Sequence, residues 1–242
     1  MKMKDNILVV KDLTKSYPIY SELLHIEISR KKVFSNLNFS LEYNKTLGIL
    51  GPSGVGKTTL VKIISKIEEP DYGEVLIENK NIKDYSFKEI ALKLQLLFQN
   101  PYSMLNPKFK VGYLIRERIK GYFKLNNLEV DKRDIDLKIK ELLEVTKLPI
   151  DILDMFPYQL SGGQRQRVAM LLVLSLYPKI LILDEPLSAL DVSLQAQMLN
   201  FLGEIKEKFK LSYIFITHDK NLAEYFCDNL LILYEDGKYE IL

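Results

Sequence analysis

Gly51-Pro52-Ser53-Gly54-Val55-Gly56-Lys57-Thr58 is the stretch on which the reading of this chain turns. It fits G-x-x-x-x-G-K-[ST] at every position. It also stands where that pattern works, between the short apolar strand Leu47-Gly48-Ile49-Leu50 and residues 58–67, whose apolar spacing is helical. Glycines allow tight curvature and let backbone amides crowd around anionic oxygens. The helix that follows adds partial positive charge at its N-terminus. The stretch from Gly51 to Gly56 therefore reads as a cradle for the phosphates of a nucleoside triphosphate. Lys57 is expected to reach the β- and γ-phosphates, and the Thr58 hydroxyl to ligate Mg²⁺.

A partner for the cradle lies far downstream, at Leu181-Ile182-Leu183-Asp184-Glu185. An apolar strand ending in two carboxylates sets both at the carboxyl edge of a sheet, where α/β folds bind ligands. Asp184 is expected in the Mg²⁺ shell, and Glu185 to accept a proton from the attacking water or to orient it.

Around these two stretches the pattern alternates strands with helices. Residues 7–10, 33–41, 74–78, 180–183, 213–217 and 230–233 read as strands, with a short hairpin strand after the turn Glu235-Asp236-Gly237. The run 180–183 is apolar on both faces, as parallel sheets require. Residues 18–32 read as polar and irregular. From 111 to 145 the pattern is helical, broken near Asn126-Asn127, and further helices are expected over about 161–176, 193–209 and 222–227. The expected architecture is an α/β core, residues 1–98 and 178–242, interrupted by a mostly helical insert, 99–177.

Composition narrows the class. With 34 Lys and Arg against 32 Asp and Glu, the net charge of +2 gives no bulk-charge footprint for nucleic acid. A single cysteine, Cys227, excludes an internal disulfide framework and a cysteine-built zinc site. It reads as half-buried filler. The first residues carry no signal-peptide apolar stretch, and no run approaches a membrane span. If the chain works at a membrane, other chains hold it there.

At Leu160-Ser161-Gly162-Gly163-Gln164 the sequence goes beyond general nucleotide chemistry. This pentapeptide resembles the signature of ATP-binding cassette (ABC) ATPases. Gln99, the cradle, Asp184-Glu185, Ser188-Ala189-Leu190-Asp191 and His218 follow in that family's order. The resemblance covers essentially the whole chain. It implies a P-loop NTPase with a RecA-like core, a small antiparallel β-subdomain and an inserted helical subdomain, binding ATP and Mg²⁺. By the same resemblance Tyr17 stacks on adenine and Thr59 adds a phosphate contact. Gln99 contacts Mg²⁺ or the lytic water and links the pocket to the helical subdomain. Ser161, Gly162, Gly163 and Gln164 meet ATP held by a second cassette, Asp191 crosses the dimer interface, and His218 approaches the γ-phosphate.

The words around the motifs resemble the oligopeptide, dipeptide and nickel importer group. They are Phe98-Gln99-Asn100-Pro101-Tyr102-Ser103-Met104-Leu105-Asn106-Pro107, Tyr158-Gln159, and Asp191-Val192-Ser193-Leu194-Gln195-Ala196-Gln197-Met198-Leu199-Asn200. Two departures stand out. The helix after the signature, Val168-Ala169-Met170-Leu171-Leu172-Val173-Leu174, lacks the arginine that group commonly carries there, and the chain stops at Leu242 without the group's longer tail. The short length tilts the expectation slightly towards a metal-chelate importer. The implied partners are a second cassette (this chain again or a sister subunit), separate membrane permease subunits and, indirectly, an extracytoplasmic solute-binding protein, with no nucleic acid. The implied place is the cytoplasmic face of the membrane, peripherally. An exporter cassette and a soluble ABC protein of DNA repair or translation are the alternatives; the first lacks this Q-loop neighbourhood, and the second usually carries tandem cassettes or long coiled-coil inserts.

Overall fold

The computed structural model describes residues 5–21, 26–98, 100, 104–129, 131–188 and 191–242. In chain order they form β1 (Asn6–Tyr20), β2 (Glu27–Glu42), β3 (Thr46–Leu50), α1 (Lys57–Ile64), β4 (Tyr72–Ile77), β5 (Lys80–Asn81), α2 (Phe87–Lys93) and β6 (Leu94–Leu97). Then follow α3 (Val111–Leu125), α4 (Lys132–Val145), α5 (Gly162–Leu174), β7 (Ile180–Asp184), α6 (Val192–Phe209), β8 (Ser212–Ile216), α7 (Lys220–Phe226), β9 (Asn229–Leu233) and β10 (Tyr239–Ile241). The chain divides into two units, Met1–Ile90 with Ser212–Leu242, and Ala91–Leu211. The expected helical insert, 99–177, lies inside the second unit, which also contains β6, β7 and α6.

In the first unit, β3 is buried along its whole length, and so is β8. β3 pairs in parallel with β8 on one side and β9 on the other. A strand with neighbours on both edges and no exposed face is expected to be mainly apolar, and in Thr46-Leu47-Gly48-Ile49-Leu50 the first residue alone is polar. Asp228 fixes its start, accepting the Thr46 amide at 2.7 Å and the Lys45 ammonium at 2.8 Å. Cys227 is half-buried, beside the small cluster of Leu50, Ala223 and Leu230, as filler of that kind should be.

A separate antiparallel sheet of the same unit runs in the order β2-β1-β4-β5. Its long hairpin corrects the sequence reading of residues 18–32 as irregular. β1 continues to Tyr20 and β2 begins at Glu27, with Pro18 opposite Arg30 and Ile19 opposite Ser29. Residues 27–32 are exposed on both faces, so backbone pairing holds the ribbon and no buried alternation marks it in the sequence. β4 pairs with β1 no further than Thr14, which leaves Pro18 in the two-stranded part, where one edge of β1 has no partner strand to miss an N–H.

In the second unit, β6 pairs in parallel with β7. The helices pack by amphipathic faces: α3 buries Val111, Ile115, Ile119 and Phe123, and α4 buries Ile135, Ile139, Leu142 and Leu143. Asp131 and Asp134 close a reciprocal capping box at the start of α4. The far half of α5, from Val168 to Leu174, is buried all round. No arginine stands there. The guanidinium of this layer comes from Arg118 of α3, which donates to the Leu172 carbonyl at 3.2 Å and to Gln95 of β6 at 2.7 Å. Burial pushes that guanidinium down from its ordinary value. α2 and β6, seven and four residues long, went unread in the sequence because neither is long enough to show a period.

Gly73 opens β4 with φ +90, where β1 shifts register between Lys11 and Thr14. A Cβ there would stand 2.5 Å from the Lys11 carbonyl oxygen and 2.6 Å from that of Asp12. Both obstacles are backbone and cannot turn aside. Gly73→Ala is expected to cost about 2 kcal/mol or more, since the left-handed backbone alone costs about 1–2 kcal/mol. Urea unfolding should show a lower midpoint at unchanged slope.

Candidate nucleotide site

The cradle follows β3 directly and ends in α1, so a buried strand delivers the loop to a helix N-terminus. Gly56 caps that helix with φ +116, and a Cβ there would lie 2.2 Å from Val33 Cγ1. Only glycine fits both the torsion and the space. Lys57, at the first helical position, is nine-tenths buried. Its Nζ folds back over the loop and donates to the carbonyls of Gly51 at 2.6 Å and Pro52 at 2.9 Å. Two of its three donors thus hold the loop in shape. Val55 is buried beneath the loop, whereas Pro52, Ser53, Gly54 and Thr58 are exposed and Thr59 is half-buried.

Tyr17 stands on β1, and its hydroxyl donates to Glu68 Oε1 at 2.7 Å and lies 3.3 Å from Thr59 Oγ1. Burial pushes the Tyr17 hydroxyl up; the Thr59 contact opposes this and the Glu68 carboxylate adds to it. Burial also raises the Glu68 carboxyl, but hydrogen bonds from Tyr17 and Lys15 outweigh that and hold it below its ordinary value. Asp71 is held low by hydrogen bonds from the Ser16 hydroxyl and amide, at 2.7 and 2.8 Å. His218 follows β8, exposed, with Thr217 buried before it and Asp219 capping α7 behind it.

In the second unit, β7 ends at Asp184, half-buried after four fully buried residues. Glu185 turns into the left-handed region with φ +46, rare for a residue with a Cβ. The amide and hydroxyl of Ser188 both donate to the Glu185 carbonyl, at 3.3 and 3.1 Å, and hold the turn.

The signature lies at the start of α5. Ser161 caps the helix by accepting the Gln164 amide at 3.3 Å, and the Gln164 side chain accepts the Ser161 amide at 2.9 Å. Gly162 and Gly163 are exposed, with open space where a Cβ would stand. Helix geometry leaves their amides without an intrahelical acceptor. Gln166, one turn on, donates to the Pro186 carbonyl at 2.9 Å and ties the signature helix to the strand end that carries Asp184 and Glu185. Asp191 caps α6, accepting the Leu194 amide at 2.9 Å. Gln99, Ala189 and Leu190 lie outside the described residues.

Lys57, Thr58, Thr59, Tyr17 and His218 thus fall in the first unit, and Asp184, Glu185 and residues 161–164 in the second. Sequence reading missed Glu68 and Gln166. Neither belongs to a spacing motif. The one available signal for Glu68 was a carboxylate just past the helix that the cradle begins.

The chain's own residues fit a nucleotide. The cradle excludes any side chain at Gly56, and a buried ammonium stands at its centre. Among the described residues no cluster of three His, Cys, Asp or Glu could hold a metal by itself.

Such a cradle, placed between a buried parallel strand and a helix and accompanied by the signature loop, defines an ABC-type ATPase. The family model for the ABC transporter matches residues 34–188, and the chain belongs to that family. It is similar to the dipeptide transport ATP-binding protein DppF of Haemophilus influenzae, 36% identical over 92% of this chain and 67% of that one. Among solved structures it resembles cbiO1 of Clostridium perfringens, described as part of the ABC transporter complex cbiONQ. The TM-score is 0.80 at 28% identity, over 98% of this chain and 87% of that one. It also resembles the cassette MJ0796 in a dimeric post-hydrolysis state bound to ADP and Pi, with a TM-score of 0.76 at 26% identity over 96% of this chain and 97% of that one. The fold is that of a P-loop NTPase, and the protein is an ATP-binding ATPase.

Lys57→Ala removes the cation and leaves the glycine torsions alone. ATP affinity is expected to fall by about 10²-fold, the scale of losing one partner of a buried charged contact. Calorimetric titration with Mg²⁺-ATP measures it.

Proposed function

We propose that the chain hydrolyses ATP to drive import of peptides through separate membrane permease subunits. The observation that carries this reading is the complete cradle with its buried Lys57, in a chain of this family whose sequence relatives are named for dipeptide and oligopeptide transport. Of the two solute classes the sequence left open, peptide has those names behind it. The tilt towards a metal chelate rested on chain length alone, and the relatives' names support it less directly.

The roles follow from the residues. Gly51, Pro52, Ser53, Gly54, Val55 and Gly56 shape the loop around the phosphates, and Lys57 exchanges the Gly51 and Pro52 carbonyls for phosphate oxygens. Tyr17 stacks on the base, and Thr59 adds a phosphate contact within the cradle. The family resemblance supports Thr58, Asp184 and Gln99 as the residues that hold Mg²⁺, which when bound supplies charge neutralisation at the β- and γ-phosphates. Glu185 takes the proton of the attacking water, and Gln99 and His218 help to orient that water at the γ-phosphate.

Residues 161–164 complete the ATP site of a second cassette, which is this chain again or a sister subunit. The capping box keeps Ser161 and Gln164 in place and leaves the exposed Gly162 and Gly163 amides to face outward. The dimer described for MJ0796 with ADP and Pi supports this arrangement. Among the described residues no helix is long and apolar enough to cross a membrane, so force reaches the solute path through partners. A cavity of about 560 Å³ in the second unit, lined by Phe98, Met104, Leu114, Arg118, Gly121 and Leu172, adjoins Gln99 in sequence. We assign it to a short apolar helix of the permease. The working position is then peripheral, at the cytoplasmic face of the membrane, with a solute-binding protein engaged only through the permease.

Glu185→Gln keeps size and leaves Asp184 alone. ATP binding is expected to survive while turnover falls by about 10²-fold or more, the loss expected for a positioned base. Steady-state phosphate release compared with equilibrium ATP binding tests this, and retained turnover would reject the base role.

The importer reading has its own check. Solubilised native membranes should yield this chain together with an integral permease and a peptide-binding protein. Recovery with DNA-repair or ribosomal proteins in their place would overturn it.

A further inference from the structure

The Tyr17 ring is anchored at more points than a surface tyrosine needs. Its hydroxyl has one hydrogen, directed at Glu68 Oε1 2.7 Å away. The longer contact of 3.3 Å with Thr59 Oγ1 must then be donated by the threonine. The same Glu68 oxygen also binds the Lys15 ammonium at 3.0 Å. Lys15 is two residues before Tyr17 on β1, so both side chains leave the same face of the strand. Its Nζ stands 5.3 Å from the centre of the Tyr17 ring and donates to the Glu69 carbonyl at 2.7 Å. One carboxylate oxygen thus gathers the tip of the ring and the cation beside it.

Glu68 is itself held by the helix that begins at the cradle. Past α1 the chain reverses through Lys66, with φ +60, and the Glu68 amide donates to the Lys62 carbonyl at 3.2 Å. α1 is a rigid rod of eight residues with Lys57 at one end and this turn just beyond the other. The position of the Tyr17 ring is therefore referred to the same helix that sets the phosphate cradle.

We propose that Glu68 is a positioning residue for nucleotide binding, holding Tyr17 and Lys15 together so that the ring meets the base at a fixed distance from the cradle. This rests on the reading that Tyr17 stacks on the base. Glu68 does not touch the phosphates, so its effect must appear only with ligands that carry a base. Lys15, drawn to one face of the ring, leaves the opposite face for the nucleotide.

The test compares ATP with inorganic triphosphate, which fills the cradle but has no base, by calorimetric titration of the full chain in Mg²⁺. Glu68→Ala is expected to weaken ATP about fivefold, the scale of one partly exposed hydrogen bond to a charge, and to leave triphosphate affinity unchanged. Glu68→Gln keeps an acceptor for the Tyr17 hydroxyl and should recover most of the loss. Tyr17→Ala should weaken ATP at least as much, again without affecting triphosphate. Equal losses for ATP and triphosphate in Glu68→Ala would overturn the proposal, because the effect would then come through the cradle. So would parental ATP affinity in Glu68→Ala when Tyr17→Ala is impaired, which leaves stacking intact and removes Glu68 from it. Parental ATP affinity in Tyr17→Ala would instead remove the stacking reading itself, and the proposal with it.

Discussion

The left-handed turn at Gly56 is the constraint from which the rest of the site follows. Its φ of +116 and the 2.2 Å clearance to Val33 leave room for no side chain, so the loop can curl tightly enough to bring Lys57 back over Gly51 and Pro52. The curl needs a rigid base on each side. β3 supplies one, with five buried residues paired on both edges, and α1 supplies the other by burying Leu60, Val61, Ile63 and Ile64. Buried apolar elements cannot shift cheaply. The polar ends they expose are therefore held where the packing puts them.

The same economy recurs at each functional end. β7 is apolar until Asp184, and β8 is buried through to Thr217, with His218 exposed after it. The residues proposed for the chemistry stand at the first position where a buried strand meets solvent, because a carboxylate or imidazole further back would lose its hydration. Where the backbone must turn at that point, hydrogen bonds from neighbouring residues hold it. Ser188 secures the strained Glu185, and Gln166 fastens Pro186 to the signature helix. The Gln166 amide side chain thus links the signature helix to the end of the carboxylate strand within one unit.

Much of this was legible in the sequence because it rests on local rules. The cradle, the strand before it and the helix after it are neighbours along the chain, and their spacing alone demands the turn at Gly56. β7, β8 and β9 are short apolar runs between turns, and α3, α4 and α6 show the helical period over several turns. The β1–β2 ribbon was not legible, since exposed residues paired only through backbone leave no alternation. Arg118 could not be foreseen either. The sequence showed that the helix after the signature lacks an arginine, but only the packing of α3 against α5 shows which guanidinium stands in that layer.

By itself, the sequence determined the nucleotide chemistry and the family, because a phosphate cradle needs particular residues at fixed short spacings and no distant contact can replace them. Tertiary structure alone decided how the ring of Tyr17 is held. Lys15, Tyr17, Thr59 and Glu68 are brought together when β1 meets the first turn of α1 and the turn beyond its end, and each bond in that cluster depends on an orientation set by the folded core. Spacing encodes what a short loop does to its own backbone. Which side chains meet across the fold is decided by the burial of the apolar faces between them.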